Sequence, residues 1–306
     1  MRALIVRSFG GPEVLELADL PLPVPGPGQV RVRVTAAAVN PVDLQTRSGA
    51  LAAAGLLPAL PVTGLGWDVS GTVDALGPGV TGFRRGQPVL GLSDRLTLPL
   101  KAQAEQVVLD ADAVAPLPDG LDPVAAAGLP LGALTAAQAL DLAALRPGAT
   151  LLVTGAAGAV GGFAVQLAVR AGLRVVAAAG DGDGALVREL GAEVFVPRSA
   201  ELAAAVREAV PGGVDGAVDA ASLGPLALDA VRGGGSLVAV LGGGPPPLRG
   251  TRVARVWIRA DGPRLAALAA AGLTPRVAGT LPLDAAAEAH RRLASGGLRG
   301  RLLLLP

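Results

Sequence analysis

Between Arg146 and Arg170 the chain runs for twenty-three residues without a charge, and five glycines interrupt the run. The length suits a membrane-spanning helix, which needs roughly 20 apolar residues, but such a helix also wants interfacial aromatic residues and orienting charges at its ends. Read for period, Ala149 to Val153 is a short apolar strand, Thr154 to Gly158 is a turn, and a helix starts at Ala159. Val160, Phe163, Ala164, Leu167 and Ala168 fall on one face of that helix and Gln166 and Arg170 on the other. Gly155, Gly158 and Gly161 stand three apart, a spacing that lets the backbone turn sharply and approach a pyrophosphate while the helix N-terminus receives its charge. The stretch Gly155, Ala156, Ala157, Gly158, Ala159, Val160 and Gly161 is therefore expected to be a phosphate cradle rather than part of a membrane span.

A lone glycine motif is weak, so its surroundings matter. Downstream come LRVVAAAG (strand), GALVRELG (helix), AEVFVP (strand), AELAAAVREAV (helix), GVDGAVDAA (strand), GPLALDAVRGG (helix) and GSLVAVLGG (strand). That alternation, with short links, predicts a doubly wound parallel sheet of the Rossmann kind. Residues 1–119 follow another pattern, short strands such as QVRVRVTAAAV and DVSGTVDAL between Pro- and Gly-rich turns, which predicts a β-rich, barrel-like domain. A mainly helical bridge follows at 120–147. After a breaker-rich hinge at 242–250 come a strand (TRVARVWIRA), two helices and a final strand. The expected division is 1–119 with 252–306 for the β-rich domain and 120–251 for the Rossmann domain.

Composition narrows the chemistry. Cysteine and tyrosine are absent, His290 is the only histidine and Lys101 the only lysine. Zinc sites built on thiolates and a phenolic proton donor are thereby excluded. Net charge is +1 and aromatics make up 2%, so the basic stripe and stacking platforms of a nucleic-acid binder are missing. The scarcity of lysine against arginine reads as the mark of a GC-rich genome. The N-terminal run is broken by Arg7 and Glu13 and reads as a first strand rather than a signal peptide, so a cytoplasmic location is expected.

Several blocks, in order and spanning nearly the whole chain, resemble the medium-chain dehydrogenase/reductase superfamily, and closely its zinc-free quinone oxidoreductase (ζ-crystallin-like) branch. They are GGPEVLEL at 10–17, NPVDLQTRSG at 40–49, GWDVSGTVDALGPGVTGFRRGQPV at 66–89, LPLGALTAAQAL at 129–140, the glycine block at 146–168 and PLDAAAEAHRRLASGGLRGRLLL at 282–304. The resemblance implies an α/β fold with a GroES-like domain and a Rossmann domain, a site in the cleft between them, a homodimer joined through GSLVAVLGG, and hydride transfer from NADPH or NADH to a quinone or conjugated enone without zinc. An alkenal or enone double-bond reductase and a non-catalytic dinucleotide-binding protein remain as alternatives.

The same resemblance puts Asn40 beside the nicotinamide, bonding its ribose or polarising a substrate carbonyl; by itself Asn40 reads as a turn cap before Pro41. Asp43 organises that loop or is simply a carboxylate at a helix N-terminus. Trp67, next to Asp68 where zinc-dependent relatives keep a ligand, is either a flat wall for a quinone or core. Thr135 corresponds to a position near the nicotinamide or is a buried helix threonine, and Gly242 and Gly243 fall among the implied coenzyme contacts. His290 reads as a solvated or packing residue. The coenzyme's 2′ position departs from the NADPH pattern. Asp181 stands where those relatives have serine, no lysine follows, and Pro197 replaces a tyrosine. A carboxylate there suits a ribose diol and repels a phosphate, which points to NADH unless Arg198 compensates.

Overall fold

Val30, Val32 and Val34 are buried while Arg31 and Arg33 face the other way, the alternation of a half-buried strand, and this pattern builds the centre of the first of two units. The computed structural model describes residues 1–58 and 60–306 and divides into Met1–Leu131 with Arg259–Pro306, and Gly132–Ile258.

The chain begins with strands β1 (Arg2–Val6), β2 (Glu16–Asp19) and β3 (Gln29–Val39), then helices α1 (Pro41–Ser48) and α2 (Ala50–Ala53). Strands β4 (Thr63–Gly64), β5 (Asp68–Leu76), β6 (Pro88–Leu92), β7 (Gln106–Asp110) and β8 (Val114–Pro116) precede helices α3 (Pro123–Ala126) and α4 (Pro130–Ala143). The second unit carries β9 (Thr150–Thr154), α5 (Ala159–Arg170), β10 (Arg174–Ala179), α6 (Gly184–Glu189), β11 (Val194–Pro197) and α7 (Leu202–Ala209), followed by β12 (Val214–Asp219), α8 (Pro225–Ala230), β13 (Val231–Ala239) and β14 (Arg252–Arg255). The return adds α9 (Gly262–Ala270), β15 (Val277–Pro282), α10 (Ala286–Ser295) and β16 (Arg301–Leu305) to the first unit.

In the first unit β15-β16-β3-β5-β6-β8 form one path with β7 also on β3, antiparallel throughout except for β15 with β16, and β2-β1-β4 make a smaller sheet. Val30, Val32, Val69, Val89, Val107 and Leu109 fill one core cluster there. The second unit is a parallel sheet in the order β11-β10-β9-β12-β13-β14, the doubly wound order whose direction reverses between β9 and β12. The uncharged stretch between Arg146 and Arg170 forms β9, a turn and α5. Among the described residues no helix is long and apolar enough to cross a membrane.

Three expectations need correction. The division falls at 131/132 and 258/259 instead of 119/120 and 251/252. Residues 120–131 go with the first unit because α3 packs on β3 and β5, Ser70 Oγ donates to the Pro123 carbonyl, and Asp68 takes the Leu131 N–H. Residues 252–255 go with the second because β14 pairs in parallel with β13, Ser236 opposite Arg252 through Ala239 opposite Arg255. That pairing also puts GSLVAVLGG inside the sheet and makes β14 the outer strand, so GSLVAVLGG has no open edge for a second copy.

Candidate functional site

Gly155 leaves β9 at φ +60°, a left-handed conformation that suits glycine, and Gly158 caps α5. The turn is tied to its neighbours by Ala156 N–H on the Ala178 carbonyl at 3.1 Å and by Gly158 N–H on the Gly155 carbonyl at 2.8 Å. A Cβ on Gly161 would lie 2.2 Å from the Gly155 oxygen and 2.9 Å from Ala156 Cα, so this helix approaches its strand only because position 161 has no side chain. The first turn of α5 leaves backbone N–H groups, at Ala159 and Val160, with no carbonyl partner inside the helix, at the positive end of its dipole. Cradle, helix end and switch point coincide, and the residues present fit a dinucleotide pyrophosphate.

Beside this turn is a lock that the sequence reading missed. Thr154 and Asp219 are opposite one another at the ends of β9 and β12, and Thr154 Oγ1 donates to Asp219 Oδ1 at 2.6 Å. Asp219, 1% exposed, also accepts from the Leu223 N–H at 3.1 Å and the Gly224 N–H at 2.8 Å, while Thr154 Oγ1 accepts from the Ala221 N–H. The loop after β12, including Ser222 at φ +57°, is thus fixed against the glycine turn. A carboxylate closing the apolar run GAV at the end of a strand was the available signal.

Asp181 lies just past β10, exposed, with Oδ1 accepting the Ser199 N–H at 3.0 Å. Arg198 is exposed immediately before that serine, and Pro197 ends β11. Gly242, at φ +70°, and Gly243 are exposed in the turn after β13, and Thr135 is 4% exposed on α4.

In the first unit β3 delivers Asn40 and Asp43 to the start of α1, with Pro41 at the first helical position. Both readings of Asp43 meet here, because it is a helix-start carboxylate that organises the loop. Asp43 Oδ2 accepts the Asn40 N–H at 2.8 Å and, more weakly, Gln103 Nε2 at 3.4 Å, and Oδ1 accepts the Gly66 N–H at 2.8 Å. Burial pushes its pKa up to about 7, opposed by those backbone donors and by Lys101, and assisted by the like charge of Asp68. Asp68 is pushed up to about 6, again by burial, with the buried Arg301 guanidinium as the main opposing influence. At neutral pH Asp68 is therefore mostly an acceptor, and Asn40 Nδ2 donates to it at 2.8 Å. This fixes the amide: Asn40, 0% exposed, is left with Oδ1 as its open atom, a buried acceptor without a partner among the described residues. Such an atom fits a hydroxyl donor, while the amide nitrogen has a second N–H besides the one given to Asp68.

Trp67 is core, 5% exposed, with Lys101 Nζ 4.5 Å from its ring centroid. Lys101 is 2% exposed and donates to the Ser93 carbonyl at 3.4 Å; burial pulls its pKa down to about 8, opposed by Asp43 and Asp94. Lys101, Gln103 and Arg301 were not singled out as site residues. A charge opening an apolar run, as in RGRLLLL, was the only sign of Arg301.

His290 is not solvated but fully buried on α10. Arg47 Nη1 lies 3.4 Å from its Nδ1, so Nδ1 is the acceptor and the proton sits on Nε2, while Arg47 Nε donates to the Gly10 carbonyl and thereby ties α1 to the N-terminal loop. Burial and the Arg47 charge hold His290 near a pKa of about 4 against an ordinary 6.5. Between those values the unfolded chain binds a proton that the folded chain refuses. Stability from this group is therefore intact above pH 6.5 and falls by about 3 kcal/mol as pH drops to about 4. Asp43 and Asp68, raised in the fold, act in the opposite sense over part of that window. The comparison with His290→Gln isolates the effect: chemical denaturation of the variant is expected to lack this acid-side loss, and an identical pH slope would refute it.

A β-rich unit joined to a Rossmann unit with a glycine cradle defines the class, that of the nicotinamide-dependent dehydrogenases and reductases of medium chain length. The alcohol dehydrogenase GroES-like domain matches residues 26–119 and the zinc-binding dehydrogenase domain matches residues 159–258. A quinone oxidoreductase of Sus scrofa is 33% identical over all of this chain and 98% of its own. An NADPH-dependent alkenal/one oxidoreductase of Arabidopsis thaliana, described as chloroplastic, is 31% identical over 81% of this chain and 64% of its own. The crystal structure of an NAD-dependent alcohol dehydrogenase superposes with a TM-score of 0.89 at 34% identity, covering all of both chains. The chain belongs to the medium-chain dehydrogenase/reductase superfamily, in its quinone oxidoreductase branch. Cysteine is absent, and among the described residues no group of three or more His, Asp or Glu is placed to hold a metal ion.

Proposed function

We propose that the chain is a cytoplasmic, homodimeric, metal-independent oxidoreductase that reduces quinones or conjugated enones with NADH or NADPH. The glycine cradle at the switch point of the parallel sheet is the observation that carries this reading. A bound reduced nicotinamide supplies the hydride. The Ala159 and Val160 N–H groups hold the pyrophosphate, Asp181 holds the adenosine ribose, and Thr135, Gly242 and Gly243 complete the coenzyme contacts. Asn40 Oδ1 takes a ribose hydroxyl on the nicotinamide side. Asp43, with both oxygens engaged, positions Asn40 and does not move protons. Water provides the proton that accompanies the hydride, giving hydroquinone from quinone or the saturated carbonyl from an enone. For the dimer, the outer edge of β14 replaces GSLVAVLGG as the pairing surface. Trp257, 59% exposed and stacked on Arg255 at 3.9 Å, lies just beyond it.

The test is a titration of the purified protein with each coenzyme, followed by addition of an ortho-quinone and then an enone while nicotinamide absorbance is read. Coenzyme consumption supports the reading. Tight binding with no oxidation across the panel favours a binder, and no binding removes the enzyme reading. In the same assay Asp181→Ser is expected to raise the NADPH to NADH ratio of kcat/KM by about tenfold, the equivalent of about 1.4 kcal/mol of lost repulsion. An unchanged ratio would mean that Asp181 does not face the 2′ position.

A further inference from the structure

Quinones and enones are electrophiles as well as hydride acceptors. A neutral amine, an imidazole or a thiolate adds to the β-carbon: the N–C or S–C bond forms, the C=C π bond breaks, and a proton ends on the α-carbon. An enzyme for these substrates is exposed to its own alkylation at every accessible nucleophile. In this chain cysteine is absent, lysine and histidine occur once each, and positive surface charge is carried by arginine, whose guanidinium stays protonated.

The two remaining side-chain nucleophiles are both sealed within the first unit. Lys101 is 2% exposed, its ammonium against the Trp67 ring and the Ser93 carbonyl. His290 is 0% exposed, with the Nδ1 lone pair facing the Arg47 guanidinium and Nε2 buried. The Met1 amine donates to the Leu20 carbonyl at 2.8 Å. Building on the reading of the substrates as quinones or enones, we propose that the fold withholds its lysine and its histidine from them, so that the enzyme survives substrate concentrations that arylate ordinary proteins. A GC-rich genome accounts for arginine in place of lysine, but not for the burial of the lysine and histidine that remain.

Burial is the decisive factor for Lys101. With a pKa of about 8 it is about a quarter free base near pH 7.5, whereas an ordinary surface lysine is only about 0.1% free base. That free-base fraction exists only because the group is buried, and the same burial keeps electrophiles from it. Access therefore requires opening of the fold, and modification of Lys101 is expected to be slowed at least about a thousandfold relative to the unfolded chain.

The experiment incubates the full chain, without coenzyme, with a large excess of 1,4-benzoquinone or methyl vinyl ketone and reads intact mass, peptide map and residual activity. The expected result is no adduct at Lys101 or His290 and retained activity in the folded protein, with both residues modified in urea. Ser295→Cys, on the exposed end of α10, serves as the live control and is expected to take one adduct rapidly. Modification of folded Lys101 or His290 within tenfold of the rate in urea overturns the inference, whether or not the protein reduces quinones. Failure to reduce any quinone or enone is read separately, by turnover, and removes the substrate reading along with the reason for protection.

Discussion

Arg301→Met is expected to lower the unfolding free energy by about 3–5 kcal/mol near pH 8, because it leaves the buried Asp68 charge without its main compensating cation. Asp68 would respond by taking a proton. Its folded pKa, already about 6, rises further in the variant, and a carboxylate whose pKa is raised in the fold destabilises as pH climbs through and beyond the unfolded value. The deficit relative to the unsubstituted chain is therefore largest at alkaline pH and shrinks toward about pH 5, where Asp68 is increasingly neutral in both. Denaturant melts at several pH values check this; a deficit independent of pH would show that Arg301 acts by packing on Gly128 and not by charge. Function should follow the same pH trend, since a protonated Asp68 no longer dictates which way the Asn40 amide points.

Gly161→Ala is expected to weaken coenzyme binding by at least about tenfold and to cost about 1–3 kcal/mol of stability, the range for overpacking. The added Cβ meets Gly155 O at 2.2 Å and Gly155 C at 2.7 Å, and these backbone atoms can give way only if α5 moves off the turn that aims its N–H groups. Gly158→Ala, whose Cβ would meet only the Gly155 oxygen at 3.0 Å, should be milder. Gly182→Ala, with nothing within 4 Å, should be neutral. Isothermal titration with each coenzyme orders the three. Equal losses at Gly161 and Gly182 would mean that close packing is not what position 161 provides.

Much of the second unit was legible before any coordinates. Its elements are local: β9, the glycine turn and α5 are consecutive, and the change of period from apolar run to helical stripe marks each boundary. The edges of the unit were not legible. Residues 252–255 carry no signal that distinguishes a sixth parallel strand from the start of the β-rich return, and the answer came from pairing with β13.

In the first unit NPVD opens α1, and the hydrogen bond that orients the Asn40 amide comes from Asp68 on another strand. Only when Asp68 faces Nδ2 is Oδ1 left as a buried acceptor without a partner among the described residues. Likewise Trp67 is compatible with either wall or core until Lys101 is found against its ring, and His290 reads as either solvated or packed until its burial beside Arg47 is seen.

By itself, then, the sequence determined the classes of structure and the chemistry that is impossible: a parallel nucleotide sheet, a β-rich partner unit, no thiolate, no phenol. These follow from periodicity and from residue inventory, which are properties of neighbours along the chain or of the chain as a whole. The tertiary structure decided the burial and the hydrogen-bond or charge partners of Asp43, Asp68, Lys101, Asn40 and His290. Each depends on burial and on a partner distant in sequence, and the energy of a charge or an amide is set by what surrounds it in space.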